Sequence, residues 1–149
     1  MYIERKEELS VYYFIEGLFT DATYIKIVDA FPEELLTIPT VAIEGGPLMT
    51  RLFEIGNSDR VRSRQWIIDI FAKNKTQRDE IGYRIMNAIK PGIPTYNYDE
   101  GFPPAVTPSA LGHLEVLKID YKPIRIIPEL VETLYHRATL LFVAQNTTV

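Results

Sequence analysis

The stretch "RQWIIDIFAKNKTQRDEIGYRIMNAIKPG", residues 64–92, changes its hydrophobic period in the middle. Residues 64–72 are bulky and suit an extended, pleated backbone. Alternation sends Ile68 and Ile70 to one side and Ile67, Asp69 and Phe71 to the other. After "KNK" the period becomes helical, with Ile81, Ile85, Ala88 and Ile89 on one face. Thr76 followed by Asp79 is a near-match to a capping box and predicts a helix over 76–90. Pro91-Gly92 predicts its end. A strand that turns into a helix within a few residues is a compact α/β or α+β unit. Its expected core is Trp66, Ile68, Ile70, Ile81, Ile85 and Ile89.

Outward from this unit, residues 5–19, "RKEELSVYYFIEGLF", read as a helix. Glu7 and Glu8 fall in its first turn, where the helix dipole favours carboxylates. Val11, Phe14, Ile15 and Leu18 follow helical spacing, and Tyr12, Tyr13 and Phe19 widen the apolar arc. A helix apolar on most sides needs burial on most sides, so a neighbouring subunit is expected to supply a second wall. Strands are predicted at 23–30, at 40–44 (stopped by a turn at Gly45-Gly46-Pro47) and at 51–56. Further strands follow at 113–119, with Leu114, Val116 and Ile119 in register, at 124–127 and at 134–144. The proline-rich region 91–108 reads as a long irregular connection. The expectation is one α+β domain over residues 1–149, with a mixed or antiparallel sheet flanked by an N-terminal and a central helix.

The 149 residues are 46% hydrophobic and 24% charged, enough for a core in one domain. Cysteine is absent, which excludes thiolate nucleophiles, disulfides and cysteine zinc sites. No apolar run approaches the ~18 residues of a membrane span, and the start carries no apolar signal segment, so a soluble, cytoplasmically made protein with no membrane partner is expected. The net charge of −4 is uneven: residues 1–50 carry −6, residues 51–78 carry +4 and residues 79–149 carry −2. An acidic total argues against a simple DNA-gripping domain. A basic middle between acidic flanks suits self-association, or charges that alternate on a solvated surface.

His113 and His136 are far apart in sequence, with no spacing that makes a metal pair. Asp69, amid isoleucines, is either a perturbed acid/base or the partner of an arginine on the outer side of its strand. Arg60, Arg62 and Arg64 recur every second residue and share one face of an extended chain, about 7 Å apart. Such a row seeks anions: DNA phosphate, a neighbour's carboxylates, or solvent counter-ions. Single-strand stacking would need exposed aromatics beside the row, and Trp66 reads as core. The stretch "NYDEGFPPAVTPSALG", residues 97–112, has an acidic pair, Asp99 and Glu100, but no adjacent carboxylates to complete a Mg²⁺ site. Its prolines stiffen it, and Tyr98 and Phe102 are interface-type anchors. It therefore reads as a docking loop for an adjoining subunit or another protein.

The run "RQWIIDIFAKNKTQRDEIGYRIMNAIKPGIPTYNYDEGFPP", with the later "PIRIIPELVETLYHRATLLFVA", resembles the small neck proteins of tailed bacteriophages, the head–tail connector and tail-terminator (tail-completion) proteins. The resemblance spans nearly the whole chain and lies in hydrophobicity and turn patterns, not catalytic signatures. It implies an α+β structural virion protein whose copies form a ring, a hexamer by preference and a dodecamer as the alternative. The ring terminates the tail tube or joins it to the head connector. Its partners would be neighbouring neck, connector and tail-tube proteins, with genomic DNA passing non-specifically through the lumen. It implies a protein of the virion, assembled in the host cytoplasm, with no enzymatic activity, cofactor, metal or catalytic residue. The expected interface residues are Arg60, Arg62, Arg64, Tyr98, Asp99, Glu100 and Phe102. Two other classes compete: a metal-dependent nuclease using Asp69, Asp99 and Glu100, and a monomeric nucleic-acid-binding module using the arginine row.

Overall fold

In the computed structural model the strand–turn–helix unit forms as its pattern predicts, and the rest of the chain builds around it. Residues 1–29, 38–52, 60–124 and 136–148 are described, with the backbone alone at 51, 52, 60, 61, 147 and 148. The elements are α1 (Ile3–Leu18), β1 (Lys26–Val28), β2 (Thr40–Leu52), β3 (Arg60–Ala72), α2 (Lys75–Ile89), β4 (Ile93–Tyr96), β5 (Ala110–Pro123) and β6 (His136–Thr148). The strands form one six-stranded sheet in the order β1-β2-β3-β6-β5-β4. β1 lies parallel to β2 and every other pair is antiparallel. The fold is α+β with a mixed sheet, as expected.

Register explains the core. Val41, Ile43 and Gly45 of β2 stand opposite Ile70, Ile68 and Trp66 of β3, which in turn face Ala138, Leu140 and Phe142 of β6. Period-2 alternation places all of them on one side of the sheet. Val11 and Ile15 of α1 and Ile81, Ile85 and Ile89 of α2 join the same cluster, so both helices cover that side. The six expected core residues of β3 and α2 are all buried.

Several local expectations change. Gly45-Gly46-Pro47 does not stop β2. The pairing shifts from Gly45 opposite Trp66 to Leu48 opposite Arg64, so one extra residue bulges and the strand continues. Arg51 and Leu52 thus end β2 and start no new strand; residues 53–56 lie outside the described residues. The α2 cap is Asn74, not Thr76: Asn74 Oδ1 accepts from Gln77 N–H at 2.9 Å, and Gln77 Oε1 accepts from Lys73 N–H at 2.9 Å. α1 begins at Ile3, which puts Glu4 in its first turn and moves Glu7 and Glu8 onto the sheet side. The proline-rich region contains a strand, β4, with Pro94 tolerated at the sheet edge. Residues 125–127 of the expected 124–127 strand lie outside the described residues.

A second bulge lies in β5. Val116 faces Ala144 and Lys118 faces Val143, so Leu117 is the extra residue, and it is 54% exposed. The bulge brings Ile119 back to the face of Val116, which strict alternation would forbid. Asp69 lies on the other face of the sheet. It accepts from Arg137 Nη2 and from Thr139 Oγ1, each at 2.9 Å, as the structural reading of that residue requires.

α2 meets β5 at Gly82, where the Tyr121 ring lies so close that no Cβ fits. Tyr121 Oη then donates to Asp79 Oδ1 at 2.9 Å, tying the same helix turn. Gly82→Ala should lower the unfolding free energy by about 1–3 kcal/mol in urea titrations, as overpacking does. This holds although alanine favours helices by about 1 kcal/mol over glycine. An unchanged or higher midpoint would refute this contact.

Candidate functional site

Arg62 and Arg64 share the face of Trp66 and therefore point toward α1. Their partners come from the chain's own first helix. Arg64 Nη2 donates to Glu8 Oε1 at 2.8 Å and Nε to the Gly46 carbonyl at 3.1 Å. Its guanidinium lies 4.9 Å from the Trp66 ring centroid, a cation–π distance. A Cβ on Gly45 would collide with that guanidinium, so the bulge makes the trough in which Arg64 rests. Arg62 donates to Glu7, and its Nη1 stands 3.5 Å from Glu4 Oε1. Asn146 Nδ2 also donates to Glu7 Oε1, at 2.7 Å. The side chain of Arg60 lies outside the described residues. The basic middle and the acidic start thus meet within one chain. Burial pushes the Glu7 carboxyl up, and Arg62 and Asn146 only partly oppose it.

The outer side of α1 carries the loop 97–109. Ser10 Oγ accepts from Tyr96 N–H at 3.0 Å and donates to the Lys6 carbonyl at 2.7 Å, which ties β4 to the helix. A turn closes from Gly101 N–H to the Tyr98 carbonyl at 3.0 Å, with Gly101 at φ +107°. A positive φ of this size favours glycine. Phe102 packs edge-on against Tyr13 at 5.4 Å, Tyr98 at 5.5 Å and Tyr12 at 5.7 Å between centroids. Tyr98 is buried, which pushes its phenol up. The second wall of α1 is therefore the chain's own loop, in place of the neighbouring subunit that its amphipathic pattern suggests. Asp99 pairs with Lys6 at 3.1 Å, and that hydrogen bond holds its carboxyl below the usual range.

What remains outward is a platform. A groove of about 570 Å³ is lined by Tyr13, Tyr96, Tyr98 and residues 104–108, with Tyr13 44% and Val106 61% exposed. A hollow of about 400 Å³ adjoins it and includes Asp99 and Glu100 in its lining. Tyr13 and Val106 were not among the expected interface residues. Tyr13 reads as part of the widened apolar arc of α1, and Val106 lacks any pattern beyond its proline neighbours.

The carboxylates of the nuclease alternative are not brought together: Asp69 lies on the sheet face away from the helices, while Asp99 and Glu100 lie on the loop over α1. Among the described residues no group of three or more His, Asp or Glu side chains has metal-site geometry. A hollow of about 210 Å³ between α1, β2 and Trp66 contains Glu8 and Asp29, both paired with Arg5.

No protein-family model matches the chain, and no curated protein matches its sequence. Among solved structures, a chain from the virion of a native gene transfer agent particle is similar to it. The likeness covers 95% of this chain and 92% of that one, at 12% identity and a TM-score of 0.47.

Two measurements test this arrangement. Because folding raises the Glu7 carboxyl above its ordinary value of 4.5, the native state holds that proton more tightly than the unfolded chain does. The contribution of Glu7 to stability is then fully present below 4.5 and is lost as pH rises through the native value. Glu7→Gln should flatten that decline, seen as wild type gaining on the variant when unfolding free energies are compared at falling pH. A constant difference would mean that Glu7 is not perturbed. Phe102→Ala should raise amide exchange across 97–109 at least about tenfold while leaving β3 and β6 protected; unchanged exchange would show that Phe102 does not hold the loop.

Proposed function

We propose that this chain is a structural protein of a tailed-phage virion that closes into a ring in the neck. The ring terminates the tail tube or joins it to the head connector, and DNA passes through it. The observation that carries the reading is the platform on α1. Tyr98 and Phe102 hold the loop from beneath, while Tyr13, Val106 and Glu100 face outward. An aromatic and proline surface already ordered in one chain loses little entropy when a partner covers it. The phage-neck resemblance of the sequence supplies the kind of assembly. Closure of a ring needs one patch of a subunit to meet a different patch of the next.

Within this reading, the described contacts suit the residues of such an interface to different parts. Arg62 and Arg64 support α1, so their interface role is indirect: they hold the helix that bears the platform. Tyr98 and Phe102 act as supports beneath the surface, and Asp99 is shared with Lys6. Glu100 is the loop carboxylate left for a partner, since no partner to it occurs among the described residues.

Native mass spectrometry of the purified chain is the test. A discrete sixfold multiple of 17.1 kDa is expected, with a twelvefold multiple as the alternative closure. A single-chain mass at tens of micromolar, with magnesium-dependent DNA cleavage, would replace this reading by an enzymatic one.

A further inference from the structure

We infer that the groove beside Tyr13 takes an extended, proline-containing segment of a partner protein that carries a basic side chain a few residues further on. This rests on the reading of the loop face as a docking surface and names what it accepts.

Three tyrosines line the groove together with Pro104, Val106 and Pro108. A polyproline II segment has no internal hydrogen bonds, so its carbonyls remain open to donors. Its pyrrolidine rings are flat and apolar, and grooves lined by aromatic rings are the surfaces that select it. Tyr13, exposed, and Tyr96, half-buried, can offer both contacts, a ring face and a hydroxyl donor, while Tyr98 lies buried beneath them. The rings of the groove are also packed against one another. Tyr98 touches Tyr96 at 6.4 Å and Tyr13 at 6.5 Å between centroids, and Phe102 wedges behind them.

Charge selects the second half of the occupant. The neighbouring hollow shares Tyr98, Pro104, Val106, Thr107 and Pro108 with the groove, so the two adjoin, and the inferred segment would run from one into the other. There it meets Glu100, which is exposed, and Asp99, whose charge Lys6 already offsets. An acidic segment would be repelled by Glu100. A lysine or arginine would be attracted and set in register. The volumes of about 570 and 400 Å³ fit several side chains in a row, as a peptide presents them.

Fluorescence anisotropy with the full chain tests this. Three labelled peptides serve as probes: hexaproline followed by Arg-Lys, hexaproline followed by Glu-Glu, and a Gly-Ser repeat followed by Arg-Lys. The first should bind at least about tenfold more tightly than either control. Tyr13→Ala and Val106→Lys should each weaken it about tenfold, as loss of an interface anchor does. Glu100→Gln should weaken it a few-fold and remove most of its salt dependence. Both Tyr13 and Val106 are exposed, so unfolding curves should confirm that the variants keep the fold. No binding of the first peptide, equal binding of the Gly-Ser or Glu-Glu peptide, or indifference to Val106→Lys overturns the inference. Rings that form normally and bind none of the peptides would sink it while the ring reading stands. Specific binding by a chain that stays single would do the reverse.

Discussion

The position of α1 governs the helix-bearing face of this protein, and Arg64 decides that position. Its guanidinium touches three separate parts of the chain: Glu8 on the helix, the Gly46 carbonyl in the bulge of β2, and the ring of Trp66 in the core. A charge removed from water costs several kcal/mol unless it is paired and hydrogen-bonded. The bulge meets part of this need locally, with Arg64 Nη1 left without a hydrogen-bond partner among the described residues. It opens room where Gly45 has no side chain and turns a carbonyl toward the guanidinium. Arg62, Glu7 and Asn146 repeat the device one step along the strand and bring in β6. Ion pairs of this kind add little net stability, but breaking one side leaves an uncompensated charge, so they specify where the helix lies.

Once α1 is placed, its outer side becomes a foundation. Ser10 ties the edge strand β4, and Lys6 meets Asp99. Tyr12 and Tyr13 receive Phe102. The loop 97–109 is long because it crosses from β4 to β5 over this helix, and its aromatic residues are spent largely on its own chain. The face is consequently layered: buried Tyr98 and half-buried Phe102 lie beneath, and Tyr13, Val106 and Glu100 are exposed above them.

The same layering separates the functional classes that composition leaves open. A nuclease needs carboxylates that converge on a metal, and here Asp69 is committed to Arg137 and Thr139 on the far face. A phosphate-binding arginine row needs free cations, and Arg62 and Arg64 face carboxylates of α1. What the surface of α1 and its loop offers is an ordered face on which Tyr13, Val106 and Glu100 are exposed.

Much of this was legible in residues 64–92. The switch of hydrophobic period from 2 to 3.6 is a local property, so β3, α2 and their six core residues follow from it; α1 was legible separately, in the helical spacing of Val11, Phe14, Ile15 and Leu18, and together they point to the α+β class. Local signals failed where two local solutions share a sequence. Gly45-Gly46-Pro47 serves a turn or a bulge equally well, and only the pairing with β3 selected the bulge. Asn74 and Thr76 are both able to cap a helix, and the turn geometry chose Asn74. The sequence also determined that Arg62 and Arg64 share a face and seek anions; it read Tyr98 and Phe102 as anchors for another protein, whereas here they pack against Tyr12 and Tyr13 of the chain's own α1. Only the tertiary structure decided that Glu7 and Glu8, some 55 residues away in sequence, are the anions and that α1 is the loop's first dock. The reason is physical: periodicity is set by neighbours along the backbone, whereas the partner of a charge or an aromatic ring is set by which distant surfaces the whole fold brings together.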